Sequence, residues 1–419
     1  MPSTPPIEVA EAVARVHRDE WGRVLAATAR VTRDLDLAEE CTQDAFERAL
    51  ERWPADGIPR RPGAWLTTVA GNRARDVVRR EAHGRRVLPM LVVEEDDPTP
   101  YAAPHPVHDD RLRLVFTCCH PSLAPEAQVA LTLRFVCGLS TVDVARAFLV
   151  QESTMAARLT RAKKKIAAAR IPYRVPGPDE LPRRLGPVLD VVHLVYTTGH
   201  VAPTGEGLVR TDLVEVAVSM GRMLHQLLPR ETAVTGLLAL MLLGEARRDT
   251  RVGAAGDLVL LSEQDRSRWD HELIEEATTL VAEALSTGPP DRFVVEAAIA
   301  AVHAESPSWE QTDWDEIVGL YDVLQGLWPT PVVRLNRAVA VGFRNGPAVG
   351  LEALAPLLDD PSIATYPYVS AVRADLLRRL GAWDEAAVAY EEAITLTENE
   401  VERAFLQARL AETQGHNRA

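Results

Sequence analysis

The sequence predicts an almost entirely α-helical protein built from several domains. Ala, Leu, Arg and Glu recur along all 419 residues, and these residue types favour helices. Apolar residues repeat at the helical spacing, whereas the alternating patterns that indicate strands are nearly absent. A chain of this length can form two or three hydrophobic cores. We therefore expect an all-α fold divided by proline-rich and acidic breaks.

The first predicted domain spans residues 8–88 and contains two long helices. Asp36, followed by Glu39, fits the start of a capped helix through "LAEECTQDAFERALERW". The breaker "PADGIPRRPG" ends this helix, and a second one is expected from Gly63 to Ala82. Its predicted buried side consists of Trp65, Leu66, Val69, Ala70, Val77 and Val78.

The other side of the second helix is crowded with polar and charged residues. These are Asn72, Arg73, Arg75, Asp76, Arg79 and Arg80. By composition alone, such a face is typical of a solvated helix surface with an Asp76–Arg80 ion pair. A binding surface is the alternative.

An acidic, proline-rich linker is predicted at residues 89–110. It contains "EEDDPTPYAAPHPVHDD", which has no helical or strand period. The next predicted domain covers residues 111–175. A second break, "RIPYRVPGPDELP", begins at the end of that domain. Beyond it, helical patterns continue through a predicted domain at 183–288 and another at 289–415.

Residues 111–175 have the layout of a helix-turn-helix. A helix through "APEAQVALTLRFVCG" is expected to begin near Pro125 and to end at Gly138. Ser140 with Asp143 gives a capping-box start for a short second helix, and a third helix begins at Glu152. The third helix has one predicted buried stripe, formed by Met155, Leu159, Ala162 and Ile166.

The third helix also holds every lysine of the chain, Lys163, Lys164 and Lys165. Small and polar side chains precede them, which suits entry into the major groove of DNA, and lysines suit contacts with phosphates. The alternative is a basic, solvated helix end favoured by the helix dipole.

The formal net charge of −14 is distributed unevenly. Residues 1–175 hold 26 Lys and Arg against 23 Asp and Glu, whereas the remainder holds 20 against 37. This acidity argues against nonspecific coating of nucleic acid by the protein. It does not exclude a local DNA contact, because salt at 0.1 M screens the interaction between charges more than about 10 Å apart.

The segment "FLVQESTMAARLTRAKKKI" resembles the region-four helix-turn-helix of bacterial extracytoplasmic-function (group IV) sigma factors. Thr154, Arg158, Leu159, Arg161 and Ala162 match the pattern of that family. Ser153, Met155, Ala157 and Lys163 depart from it. The resemblance implies contacts with the −35 promoter element, and with the polymerase β flap, by this region. The implied −35 residues are Ser153, Thr154, Ala157, Arg158, Arg161, Lys163, Lys164 and Lys165.

The first domain is similar to region two of the same family. "DLAEECTQDAFERALERW" looks like the helix that docks on the polymerase β′ clamp, and "AWLTTVAGNRARDVVRRE" like the helix that opens and reads the −10 element. The implied −10 residues are Asn72, Arg73, Asp76, Arg79 and Arg80. The implied core polymerase contacts are Glu39, Glu40, Gln43, Asp44 and Phe46.

The C-terminal half carries a second resemblance. "ADLLRRLGAWDEAAVAYEEAITLTEN" (residues 374–399) matches the tetratricopeptide pattern, with Leu380-Gly381 at the end of the first helix and Ala387, Tyr390 and Ala393 at packing positions. Residues 335–358 look like a degenerate second copy, and residues 313–327 like part of a third. The whole chain resembles the sigma factors with such an extension, which implies a fused regulatory domain and a possible protein or peptide partner.

Two other readings of the sequence compete with a sigma factor. An enzyme would need a site, but no Ser/His/Asp spacing, Walker loop or HExxH appears, so we expect no catalytic activity. Cys118, Cys119 and His120 could bind zinc, yet adjacent cysteines are poor joint ligands, so we expect no metal or cofactor. The second reading is a helix-turn-helix regulator with a tetratricopeptide sensor that acts without replacing sigma. We also expect no membrane segment and a cytoplasmic protein with free cysteines.

Overall fold

The computed structural model describes residues 6–83, 110–148, 150–200, 210–253 and 257–416. Within these ranges it has 18 α-helices, and its only β pairing is an isolated bridge between Val252 and Leu258. The expected all-α fold is therefore confirmed. The chain divides into two compact units, Met1–Val192 and His193–Ala419, which are treated separately below. Most of the predicted acidic linker, residues 89–109, lies outside the described ranges.

The first unit begins with three helices that share one core. They are α1 (Pro6–Thr32), α2 (Leu35–Asp56) and α3 (Pro62–His83). Trp21, Leu25, Trp53 and Leu66 are fully or almost fully buried between them. The expected buried side of α3 is correct at Leu66 and Ala70, while its other apolar residues are half-buried because they lie at the edge of the bundle.

The start of α2 differs from the sequence prediction. The N-cap is Asp34, whose side chain accepts a hydrogen bond from the Leu37 amide at 2.9 Å. Asp36 instead lies in the first turn of the helix, where a carboxylate is favoured by the helix dipole. Both positions hold an aspartate, and the three-residue spacing to Glu39 pointed to Asp36, which is not the N-cap.

The second part of the unit consists of α4 (Asp110–Cys118), α5 (Pro125–Leu131), a π-helical segment (Thr132–Val136), α6 (Thr141–Ala147) and α7 (Glu152–Ala168). The helix expected up to Gly138 is thus α-helical only in its first half. The Cys137 amide donates to the Thr132 carbonyl, five residues back, which widens the last turn. Gly138 then takes a φ of +75°, as its predicted role at a helix end requires.

The second unit is a succession of packed helices. Helix α8 (Leu181–His200) contains the division between the units. It is followed by α9 (Thr211–Leu227), α10 (Thr232–Glu245), α11 (His271–Thr287) and α12 (Arg292–Glu305). Helix α10 is apolar on nearly every side, because α9, α11 and α12 all pack against it.

Each of the last six helices packs against the next one along the chain. They are α13 (Trp314–Leu327), α14 (Pro331–Arg344), α15 (Pro347–Leu358), α16 (Pro367–Leu380), α17 (Trp383–Leu396) and α18 (Glu400–His416). Gly381 ends α16 in the left-handed region with a φ of +75°, and Tyr390 and Ala393 are buried as predicted. At the remaining packing position Ala386 is fully buried, whereas the predicted Ala387 is only half-buried.

Candidate nucleic-acid interface

Local capping and packing hold α7 in a defined orientation within the helix-turn-helix. The Ser140 hydroxyl accepts a hydrogen bond from the Asp143 amide at 3.1 Å, which is the N-cap bond of the predicted capping box. The same hydroxyl donates to the Asp143 carboxylate at 2.6 Å. The buried residues of α7 are Met155, Leu159, Ala162 and Ile166. The predicted stripe is therefore confirmed, and it fixes which side of α7 faces solvent.

The outer face of α7 is positively charged and accessible. Its exposed residues include Ser153, Thr154, Ala157, Arg161, Lys164 and Lys165, and Arg158 is half-buried. The guanidinium of Arg158 lies 5.3 Å from the centre of the Phe148 ring, which supports the side chain at the turn. Within the described residues no carboxylate pairs with Arg158, Arg161, Lys164 or Lys165. This face can therefore contact phosphates or base edges without first breaking an ion pair.

Lys163 differs from its neighbours on α7. It is half-buried, and its ammonium group forms an ion pair with Asp36 in the first turn of α2. Its Nζ also lies 5.9 Å from the centre of the Phe135 ring. Among the described residues, Lys163 is therefore the only one of the three lysines predicted to contact DNA that also contacts α2.

On α3, the predicted −10 residues are exposed but partly paired. Asn72, Asp76, Arg79 and Arg80 are exposed, and Arg73 is half-buried. The Arg73 Nε lies 3.0 Å from the Asp44 carboxylate on α2, and Arg75 donates to the Asn72 side chain at 2.6 Å. In the described part of α3 no ion pair joins Asp76 to Arg80, so the simple solvated-face interpretation lacks the pair on which it relied.

The predicted polymerase contacts on α2 fall into two groups. Glu40 and Gln43 are exposed, whereas Glu39 is ion-paired with Arg134 and Asp44 with Arg73. Phe46 is only 6% exposed and lies in an aromatic cluster with His17 and Trp21, at ring distances of 5.0 and 6.0 Å. Phe46 therefore presents almost no surface to a partner, and any part it plays in binding would be to support α2 from within.

Comparison with known proteins separates the remaining interpretations. Residues 18–84 match the model of Sigma-70 region 2, and residues 113–166 match that of Sigma-70, region 4. Residues 184–285 match a family of unknown function, DUF6596. A helix-turn-helix regulator that acts without polymerase would not need region 2, so the first two matches favour a sigma factor.

Curated relatives extend the same result. An uncharacterized protein of Rhizobium meliloti is 41% identical over 393 residues, which is 93% of this chain and 92% of that protein. The ECF RNA polymerase sigma factor SigK of Mycobacterium sp. strain KMS is 31% identical over 154 residues, which is 36% of this chain and 78% of SigK. The SigK of Mycobacterium tuberculosis strain H37Ra is 29% identical over 160 residues, 37% of this chain and 83% of that protein.

The chain belongs to the ECF sigma factor family. It is an alternative sigma factor that directs transcription initiation and carries a long C-terminal helical extension. Sigma factors bind core RNA polymerase and promoter DNA. Among the described residues no helix is both long and apolar enough to cross a membrane.

Region two and region four of this sigma factor pack closely against each other. A Cβ added at Gly22 of α1 would lie 2.4 Å from the Val136 carbonyl oxygen in the π-helical segment. One added at Gly138 would lie 2.7 Å from the Trp21 ring. The Tyr173 hydroxyl donates to the Ala26 carbonyl at 2.8 Å. Gly22 thus allows the backbone of α1 to approach that of the π-helical segment, and Gly138 makes room for the Trp21 ring, which no pattern in the sequence had indicated.

Charged residues complete this region two–region four interface. Arg134 of the π-helical segment pairs with Glu39, and its guanidinium lies 6.0 Å from the centre of the Trp21 ring. Burial lowers the pKa of Arg134, because few water molecules reach its charge. Arg30 of α1 lies 3.4 Å from Asp110 of α4. Two residues of α2 therefore take part in this interface. Glu39, a predicted polymerase contact, pairs with Arg134, and Asp36 pairs with Lys163.

The cysteine-rich segment supports no metal site in the part of the chain that is described. No group of three or more His, Cys, Asp or Glu residues there is arranged to hold a metal ion. Cys118 and Cys119 are free and buried. Burial raises the pKa of the Cys119 thiol to about 12, so it stays protonated at neutral pH.

Proposed function

We propose that region two docks on the β′ clamp of core polymerase through Glu39, Glu40, Gln43 and Asp44, and that region four contacts the β flap. In this proposal α3 opens and reads the −10 element, and α7 enters the major groove at −35. The proposed domains are those expected from the sequence, and the site of action is the bacterial cytoplasm, where polymerase works. The observation that carries the proposal is the unpaired cationic face of α7, oriented by a buried stripe on a capped helix-turn-helix.

Charge distribution supports this division of labour. Arg161, Lys164 and Lys165 lie near the middle of α7 and further along it, where a helix in the major groove meets the DNA backbone. Thr154 and Ala157 are small and exposed near its start, where the groove floor would be close. The chain as a whole is acidic, so most of the affinity for a promoter would come from the complex with polymerase.

Run-off transcription with bacterial core polymerase tests the proposal. The template would carry the upstream region of the gene for this protein. We expect a core-dependent transcript from the full chain, and its loss when Lys164 and Lys165 are both replaced by Ala. An exposed basic residue outside the proposed surfaces, Arg146, gives the control Arg146→Ala. Duplex binding without any core-dependent transcript would contradict the proposal.

The packed arrangement of regions two and four must open during initiation. Promoter positions −10 and −35 are separated by roughly 85 Å of straight duplex, at about 3.4 Å per base pair. In this state Lys163 of α7 contacts the first turn of α2, and α3 packs against α2. The two proposed DNA surfaces therefore lie within roughly 45 Å of each other, which is the length of one helix plus the diameter of another. Both elements therefore cannot be bound in this state. Segment 84–109 joins the regions, and an extended chain of that length reaches up to about 90 Å.

Gly22→Ala tests this opening without altering a proposed contact. The new methyl group would collide with the Val136 carbonyl, while Ala stabilises the interior of α1 by about 1 kcal/mol relative to Gly. We expect the full-length variant to have a larger radius of gyration by small-angle scattering, faster amide exchange in Thr132–Val136, and tighter binding to core polymerase.

The matched control for this variant is Gly186→Ala in α8. Gly186 is exposed, and an added Cβ would meet nothing within 4 Å, so only helix propensity changes. An unchanged radius of gyration and unchanged exchange in Gly22→Ala would show that the interface tolerates the methyl group. Weaker binding to core polymerase by an opened variant would overturn the role given to the packed state.

We further propose that the C-terminal half regulates initiation, with a protein or peptide bound on the helical pairs of residues 289–415. Those pairs resemble tetratricopeptide repeats, which offer concave surfaces to such partners. Transcription by residues 1–192, the first compact unit, would be compared with transcription by the full chain. Higher activity of the shorter chain would identify an inhibitor, lower activity an essential part, and equal activity would contradict regulation.

A further inference from the structure

The chain leaves the helix-turn-helix through a short segment, residues 170–176. Helix α7 ends at Ala168, and Arg170 then takes a left-handed conformation with a φ of +49°. The Ile171 amide donates to the Ile166 carbonyl at 3.1 Å, five residues back, which is the bond that closes a Schellman turn. A residue other than glycine stays in this conformation only where surrounding contacts hold it, so contacts beyond the turn fix the path of the chain.

The contacts that fix this path are made by buried side chains of the segment. Ile171 is 1% exposed, and Tyr173 is 0% exposed although its ring carries a hydroxyl group. That hydroxyl donates to the Ala26 carbonyl of α1 at 2.8 Å. Burial raises the pKa of Tyr173, so the hydroxyl keeps the proton that it donates. The ring is therefore enclosed by protein, and its one polar atom has a partner in region two.

The same stretch of chain also contacts α4 of region four. The Thr117 hydroxyl of α4 lies 3.4 Å from the Pro172 carbonyl. A few residues further on, Arg184 of α8 donates through Nη2 to the Phe116 carbonyl of α4 at 2.7 Å. Helices α1 and α4 pack directly against each other. Tyr173 is thus bonded to one of these two helices, while its neighbours along the chain contact the other.

Residues 170–176 lie outside the parts of the chain that match known families. The match to Sigma-70 region 4 ends at residue 166, and the match to DUF6596 begins at residue 184. The segment is therefore additional to the helix-turn-helix that the sigma factors share. It is also the covalent connection from α7 to α8, and hence from the helix-turn-helix to the C-terminal extension.

We propose that residues 170–176 are a latch, by which the start of the C-terminal extension holds region two against region four. In the packed state the Tyr173 hydroxyl is bonded to Ala26 and its ring is buried. Separation of the two regions breaks this bond and exposes the ring to water, so the latch stabilises the packed state. This inference rests on the proposed opening of regions two and four, and it names the part of the extension that opposes that opening.

Amide exchange of the free full-length chain tests the latch without polymerase. Exchange at the interface tracks the population of the opened form. Tyr173→Phe keeps the ring and removes the hydroxyl, and the loss of one neutral hydrogen bond corresponds to a change of about 5-fold in that population. We expect exchange in Thr132–Val136 to become about 5-fold faster. The affinity for core polymerase should rise by up to the same factor, because more of the chain is then competent to bind.

Tyr173→Ala removes the ring as well as the hydroxyl. It should therefore quicken the same exchange by more than 10-fold, because the packed state also loses the buried area of the ring. The radius of gyration of this variant, measured by small-angle scattering, should exceed that of the wild type. In both variants, exchange in the core of region two around Leu66 should keep its wild-type rate.

Tyr196→Phe is the matched control for Tyr173→Phe. Tyr196 is 5% exposed, and its hydroxyl donates to the Met241 carbonyl at 3.2 Å within the second unit. The control thus removes the same atom from a buried bond to a helix carbonyl, away from the region two–region four interface. Exchange in Thr132–Val136 and affinity for core polymerase should stay at their wild-type values. Equal increases in both variants would reduce the effect to general destabilisation and overturn the latch.

The two measurements separate the latch from the proposed function. Unchanged exchange in Tyr173→Phe and Tyr173→Ala would overturn the latch, even where Gly22→Ala opens the interface. Faster exchange with unchanged affinity for core polymerase would support the latch and contradict the role given to the packed state. An equal acceleration in Thr132–Val136 and around Leu66 would show that Tyr173 only supports the fold, and the latch would again be overturned.

Discussion

The two helices proposed to meet DNA are prepared for it in opposite ways. On α7 the cations Arg161, Lys164 and Lys165 project from an exposed face without carboxylate partners in the described residues. On α3 the central cation, Arg73, is held by Asp44 of the neighbouring helix at 3.0 Å. An unpaired face suits a duplex, whose phosphates it can follow, whereas a held cation suits a fixed position beside one displaced strand.

The largest expected effect is on α7. Replacing Arg161, Lys164 and Lys165 together by Ala should weaken binding to promoter duplexes of every sequence alike, because the lost contacts are to phosphates. The slope of log K against log salt should become shallower by about 2.7, or about 0.9 per contact. The gap in affinity between wild type and variant should then narrow about 40-fold between 50 and 200 mM salt. Fluorescence anisotropy over a salt series measures this, and an unchanged slope would contradict the assignment.

A smaller and more selective effect is expected at Arg158. If its guanidinium reads a base, Arg158→Ala should cost about 1–3 kcal/mol on the preferred promoter and much less on a duplex altered at one position. A panel of duplexes, each with a single base pair replaced, would locate that position. Equal losses on all duplexes would make Arg158 a phosphate contact like its neighbours.

The sequence alone predicted α7 better than it predicted the surroundings of α7. Its buried stripe and the Ser140 cap depend on spacing within a few residues, which a helical period captures. The cap of α2 was misplaced by two residues, since Asp34 and Asp36 are both suitable capping residues. The π-helical turn at Thr132–Val136 has no sequence pattern that distinguishes it from an α-helix.

Contacts between distant segments were the part that sequence could not supply. The pairs Arg134–Glu39 and Lys163–Asp36 join residues from regions two and four, and only the folded backbone brings them together. In the sequence Gly22 is only a glycine within a helix, and its closeness to the Val136 carbonyl is apparent only from the structure.

The smallest expected effect concerns the pair that holds α3. Asp44→Asn should lower the free energy of unfolding by at most about 1 kcal/mol, because both side chains of the Arg73–Asp44 pair remain partly exposed to water. It should also tighten binding of single-stranded −10 DNA slightly, since the carboxylate no longer competes with phosphate for Arg73. Binding of duplex DNA by α7 should not change.

Glu47→Gln provides the matched control for Asp44→Asn. Glu47 is an exposed carboxylate on the same helix, α2, and pairs with no arginine among the described residues, so its loss changes charge without releasing a cation. If both variants tighten single-stranded binding equally, the effect is general electrostatics. If Asp44→Asn alone tightens it, the pair restrains Arg73. If Asp44→Asn weakens it, the carboxylate positions Arg73 for DNA, and α3 then gains its function from the contact with α2 rather than in spite of it.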